Sequence, residues 1–130
     1  MNIKVVFLGG IDEIGKNMTL FEFDDEAILV DAGFKFPDAE MLGVDKLIPD
    51  ISYILKIKDK IKGIILTHGH ADHMADIISF HVFLKWHPEG RQAPLHTAGP
   101  AEVRARMAQI DGYADEGEIV ELLDFHPVAS

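Results

Sequence analysis

Four side chains within six residues, His68, His70, Asp72 and His73 of the segment Thr67-His68-Gly69-His70-Ala71-Asp72-His73, are of the types that ligate metal ions. In an extended segment alternate side chains share a side, so His68 and His70 can point at one ion. Asp72 and His73 then stand at the entry to a helix, where a carboxylate also suits the unpaired amides and the dipole. Gly69 and Ala71 keep the loop lean enough for the four to converge. The chemistry such a set supports is the binding of a metal ion by imidazole and carboxylate donors. With no cysteine in the chain, disulfides, zinc–thiolate sites and thiol nucleophiles are excluded, and any metal must be held by imidazole and carboxylate.

The competing explanation is a chance cluster of surface histidines in a turn. Against it stands the position of the cluster, directly after the apolar run Ile64-Ile65-Leu66. Of the other histidines, His81 falls on the apolar face of a predicted helix and reads as a packed core residue. His87 precedes Pro88 and reads as exposed, and His96 falls in a predicted strand. His126, in Asp124-Phe125-His126-Pro127, is the remaining candidate for an extra ligand.

The elements that must carry the loop follow from periodicity. Ile3 to Leu8, Met18 to Phe23 and Ala27 to Val30 read as strands of an antiparallel set, with Gly9-Gly10 and Asp24-Asp25-Glu26 as breaks. Asp31 to Asp50 has no sustained period and is punctuated by Gly33, Pro37, Gly43 and Pro49, so it reads as a long loop, a kind of segment that is usually functional. Ile51 to Ile57 reads as a short helix. Gly63 to Thr67 reads as an interior strand buried on both faces. Met74, Ile77, Ile78, His81, Val82 and Lys85 recur at helical spacing, which predicts one helix from Asp72 to Trp86. A strand at Pro94 to Thr97 follows, then a helix with Pro100 near its first position and Val103, Met107 and Ile110 on one face. Ile119 to Phe125 reads as the last strand. The alternation of strand and helix indicates an α/β class.

At 130 residues the chain fits one domain. Apolar residues make up 48% and charged residues 26%, the balance of a globular protein with a core. No run approaches the roughly 20 apolar residues of a bilayer span, and Met1-Asn2-Ile3-Lys4 leads into a strand, so no membrane association and a cytoplasmic location are expected. The formal net charge of −10 repels polyanions, so a nuclease reading places its RNA grip elsewhere; the same acidity serves solubility.

The loop has the H-x-H-x-D-H pattern and resembles the metallo-β-lactamase superfamily. The chain before it is similar to one branch of that superfamily, ribonuclease J. That likeness rests on Phe7-Leu8-Gly9-Gly10, Glu13-Ile14-Gly15-Lys16-Asn17-Met18, Val30-Asp31-Ala32-Gly33, Phe36-Pro37-Asp38-Ala39-Glu40-Met41-Leu42-Gly43-Val44-Asp45 and Ile48-Pro49-Asp50-Ile51-Ser52-Tyr53, in that order. It covers residues 1 to about 74. The resemblance implies an αββα sandwich of which this chain is the amino-terminal half. It also implies two metal ions, usually zinc, with His68 and His70 on one and Asp72 and His73 on the other. A metal-bridged hydroxide oriented by Asp72, the catalytic residue, would then cleave an RNA phosphodiester. Asp31 would support the ligands from behind.

Past Met74 the chain is more similar to small stand-alone hydrolases of the superfamily, which points to a junction near residue 74 and to a chimera. The further ligands of the superfamily are expected beyond the segment seen here, leaving two donors per ion instead of the three typical of catalytic zinc. Three functions follow as expectations. One is a ribonuclease J-type hydrolase fragment acting on RNA in a longer protein. Another is a hydrolase of small esters, lactones or phosphoesters. The third is a non-catalytic half-domain that pairs with a complementary half or with a second copy.

Overall fold

The sequence's alternating runs build a single six-stranded sheet, seen in a computed structural model that describes residues 2–86, 88–90, 92–112 and 122–129. In chain order the elements are β1 (Ile3–Gly9), β2 (Met18–Phe23), β3 (Glu26–Val30), α1 (Ser52–Lys56), a 3-10 turn (Lys58–Lys60), β4 (Ile61–Ile65), α2 (Ala71–Met74), α3 (Ile77–Trp86), β5 (Thr97–Pro100), α4 (Ala101–Asp111) and β6 (Phe125–Val128). The strands lie side by side in sequence order. β1, β2 and β3 pair antiparallel, as their short connections dictate, whereas β3 to β6 are parallel and need crossovers.

Period-two alternation gives the sheet two unlike faces. Leu20, Leu29 and Ile64 point to one side in register across β2, β3 and β4 and pack with Leu66, Ile54, Met74, Ile77, Leu84, Val103 and Met107. Each such fully buried side chain contributes about 1.5–3 kcal/mol. On the opposite side Ile3, Val5, Phe7, Phe21, Ile28, Ile65 and Val128 are exposed. The described residues therefore form a sheet with helices on one face. That is the α/β layer pair expected for half of an αββα sandwich.

Several boundaries differ from the sequence reading. β4 is displaced toward Ile61, and Ile65 is 40% exposed, so the strand is buried on one face only. The single helix from Asp72 to Trp86 is two helices, because the Asp76 amide donates to Ala32 O at 2.9 Å, outside the helical ladder. β5 starts at Thr97 instead of ending there, and Pro100 is the residue before α4 instead of its first turn. Ile110 is exposed, away from the face that buries Val103 and Met107. The last strand begins at Phe125, after Leu122 and Leu123 turn into the core. Residues 119 to 121 of the expected strand, and His87, lie outside the described residues. No helix among the described residues is long and apolar enough to cross a membrane.

Candidate metal centre

Asp31 lies one residue past β3, and its amide extends the β3–β4 pairing by donating to Ile65 O at 2.8 Å. Its φ of 62° is left-handed, a conformation Asp adopts more readily than most residues, and it turns the carboxylate under the end of β4. The residue is only 6% exposed. Oδ1 accepts the Thr67 amide at 2.8 Å, and the Thr67 hydroxyl lies 3.0 and 2.9 Å from the two carboxylate oxygens. Oδ2 lies 2.7 Å from His73 Nδ1.

These contacts determine where two imidazole protons sit. An ionised carboxylate only accepts, so His73 Nδ1 carries a proton, and in the neutral imidazole Nε2 keeps its lone pair. The Thr67 hydroxyl has one proton, which it gives to Asp31. It can therefore only accept from His68 Nδ1, 3.0 Å away. His68 is thus also protonated at Nδ1, with Nε2 free. One buried carboxylate thus orients two imidazoles, His73 directly and His68 through Thr67.

The loop is fastened to residues 31–33 and to the turn before β2. Ala32 N–H donates to His73 O at 2.7 Å, and Asn17 donates to Asp72 O from its amide at 3.2 Å and from Nδ2 at 3.0 Å. Asn17 Nδ2 also lies 3.4 Å from Asp72 Oδ2. Gly33 is pressed against the Asp72 carbonyl so closely that a Cβ there would stand 1.6 Å from the oxygen. Three residues of the motif Val30-Asp31-Ala32-Gly33 thereby have a stated part: Asp31 a carboxylate, Ala32 a backbone bridge and Gly33 a close approach.

The His68 ring centroid is 4.0 Å from that of His73 and 4.8 Å from that of His70. His73 Nε2 lies 3.4 Å from Asp72 Oδ2. Two ligands about 2.0–2.1 Å from one tetrahedral ion stand about 3.3 Å apart, so this pair is spaced for one cation. All four loop residues are of types that hold a divalent ion, and this one pair is also spaced for it. His68 and His70 open onto a groove lined also by Glu102, Ala105, Arg106 and Gln109 of α4. Among the described residues, the three donor groups already within 4.8 Å of one another are those of His96, Asp124 and His126, at a different place. His126 is therefore not brought to the loop. His81 is 2% exposed, as expected of a core histidine.

The profile of the metallo-β-lactamase superfamily matches residues 11–122. The chain belongs to that superfamily. Membership implies a divalent metal, usually zinc, and accounts for the His-Asp loop at the end of a parallel strand. Ribonuclease J 2 of Staphylococcus aureus (strain NCTC 8325) is 54% identical over 79 residues, 61% of this chain and 14% of the relative. Ribonuclease J 2 of Staphylococcus saprophyticus is 52% identical over the same extent. The chain thus spans about a seventh of the length of these relatives. Among solved structures, a diphosphatase from the PhnP family superposes with a TM-score of 0.52 at 18% identity, over 91% of this chain and 41% of that one. This likeness establishes the fold.

Sequence reasoning missed three contributors. Asn17 sits in a ribonuclease J-like motif, but nothing in that motif signals its distance-spanning contact with Asp72. Thr67 is the first residue of the loop, and a hydroxyl beside a ligand was the available signal. Arg106 is one of several charges on a helix, and nothing local sets it apart.

Proposed function

We propose that this chain carries the metal-binding loop of a ribonuclease J-type hydrolase, in which two zinc ions promote hydrolysis of RNA phosphodiesters in the complete protein. The observation that carries this reading is the pair His73 Nε2 and Asp72 Oδ2, 3.4 Å apart, with His73 aimed by buried Asp31. The substrate class rests on the likeness to ribonuclease J 2. Bound zinc would supply Lewis acidity and an acidified water. His68 and His70 would hold one ion, and Asp72 and His73 the other. Asp72, steadied by Asn17, would orient the attacking water, and Arg106 in the adjoining groove is placed to pair with an anionic phosphoryl oxygen.

With two donors per ion, the 130-residue chain is expected to bind zinc more weakly than a three-ligand site and to show no steady turnover. Cobalt(II) titration followed by visible absorption tests the loop. Wild type should bind, and His68→Ala and Asp72→Ala should each weaken binding by about tenfold or more. Unchanged binding in both variants would remove the loop from the metal site. Addition of a phosphorothioate dinucleotide to the cobalt-loaded chain should shift the spectrum. If a lactone or ester shifts it and the dinucleotide does not, the small-ester hydrolase reading replaces this one.

The open sheet face favours a second role, association with a complementary half-domain or a second copy. Seven exposed apolar side chains from Ile3 to Val128 form a patch of a kind that soluble monomers rarely leave uncovered. Sedimentation equilibrium should show self-association, and Phe21→Lys should reduce it. A strict monomer at high concentration would contradict homodimerisation.

A further inference from the structure

We propose that His96, Asp124 and His126 form a second divalent-metal site, selective for ions that favour imidazole, on the open face of the sheet where β5 and β6 begin, distinct from the His68–His73 loop. The placement follows from strand register. Ile64 pairs with Thr97 and Thr97 with Phe125, so His96 and Asp124 are neighbours one step earlier along adjacent strands. His126 lies two residues after Asp124 and therefore on the same face, beside Ala98. All three are on the open face, before or early in parallel strands, whereas the loop follows the carboxyl end of β4.

Asp124 Oδ2 is the hub, 2.5 Å from His96 Nδ1 and 3.2 Å from His126 Nε2. The two rings are tilted by 34° with centroids 6.0 Å apart. Asp124 has a left-handed φ of 40°, which turns its carboxylate between the rings. Both imidazoles hold that carboxyl below its usual range, His126 more than His96. Opening the shorter spacing by under about 1 Å brings both imidazoles to the separation from the carboxylate oxygen of ligands on one tetrahedral ion, and the three donor atoms lie within 4.8 Å of one another.

The donor set, two imidazoles and one carboxylate, suits zinc, nickel or copper(II) better than magnesium or calcium, which prefer all-oxygen shells. The His96 and His126 side chains are 70% and 61% exposed, so a fourth position stays open to water or an added ligand. Beside the cluster, the face carries a depression lined by Ile28, Gly63, Ile65 and Ala98. An ion here would tie β5 to β6 at the edge of the sheet and stabilise the folded chain by mass action.

The test removes the loop first. In the full chain carrying His68→Ala, His70→Ala, Asp72→Ala and His73→Ala, cobalt(II) titration should still show one equivalent with the intense visible bands of a low-coordinate site, and zinc should raise the melting temperature. Adding His126→Ala or His96→Ala should lower the affinity at least about tenfold and abolish the thermal shift. Both positions are exposed, so the apo-protein's circular dichroism should not change. Magnesium should have no effect at the same concentration. The proposal is overturned if the loop variant binds no cobalt, or if its binding and thermal shift persist unchanged in both histidine variants. Asp124→Asn resolves the remaining case: loss of folding stability without loss of cobalt binding would show a purely structural hydrogen-bonded triad and would also overturn it. Because the loop is disabled throughout, none of these results depends on the ribonuclease-type reading.

Discussion

Replacement of Asp31 by asparagine is expected to strip the loop of most of its metal affinity while leaving the chain folded. Asparagine fits the same volume and tolerates the left-handed backbone at φ 62°, so the turn survives. Its carbonyl oxygen can still accept from the Thr67 amide and hydroxyl, which now lie 2.8 and 3.0 Å from Oδ1. Its NH2 would face His73 Nδ1 across the present 2.7 Å contact, donor against donor. Relief comes if His73 moves its proton to Nε2, and that removes the lone pair aimed toward Asp72. Zinc affinity should fall by about 10–100-fold, the usual cost of losing a partner behind a metal-bound histidine. Stability of the metal-free chain should change by about 1 kcal/mol, the net value of one hydrogen bond. Competition with a chromophoric chelator measures the first quantity and urea unfolding without metal the second. Equal loss of both would reduce Asp31 to a structural residue, and unchanged affinity would refute the tautomer argument. Asp31→Ala serves as the contrast. It leaves the Thr67 amide without its partner, at about 1–3 kcal/mol, and adds left-handed strain.

The candidate donors were legible in the sequence because they are local. His68, His70, Asp72 and His73 fall within six residues, and the structure brings the rings of His70 and His73 within 4.8 and 4.0 Å of that of His68. Asp31 was legible through its motif, although its contacts with Thr67 and His73 span 36 and 42 positions. What stayed hidden depends on register and on competition for backbone groups. The break between α2 and α3 follows from an amide drawn to Ala32, a partner more than forty residues away that no helical period records. Ile65 looked doubly buried because apolar runs signal burial without naming what covers each face. Here only the helices of one layer do so. The His96–Asp124–His126 cluster needs the pairing of β5 with β6 before its members meet. Spacing alone leaves His96 isolated.

Gly33→Ala is expected to be the most disruptive single-methyl change near the site. A Cβ on Gly33 would meet Asp72 O at 1.6 Å, Asp72 C at 2.2 Å and His73 N at 2.8 Å. All three are backbone atoms, so no rotamer change relieves the overlap. Residues 31–33 and 72–76 would have to separate by well over 1 Å. That strains or breaks four hydrogen bonds: Ala32 N to His73 O, Asp76 N to Ala32 O, Gly33 N to Asn17 O and Asn17 N to Asp72 O. At about 0.5–1.5 kcal/mol each, the loss reaches the range above about 4 kcal/mol that point mutations rarely exceed. Against a domain stability of about 5–15 kcal/mol this is a large fraction. With a urea slope of about 1–3 kcal/mol per molar, the unfolding midpoint should fall by more than about 1 M. Gly43→Ala separates this contact from backbone preference. Gly43 has φ 79° and open space within 4 Å of where its methyl would stand, so its substitution should cost only the left-handed penalty of about 1–2 kcal/mol. Metal binding at the His68–His73 loop should be lost in Gly33→Ala and retained in Gly43→Ala, because only the former packs against the backbone of that loop. A Gly33→Ala protein as stable as Gly43→Ala, with its metal affinity intact, would show that the loop does not rest on residues 31–33.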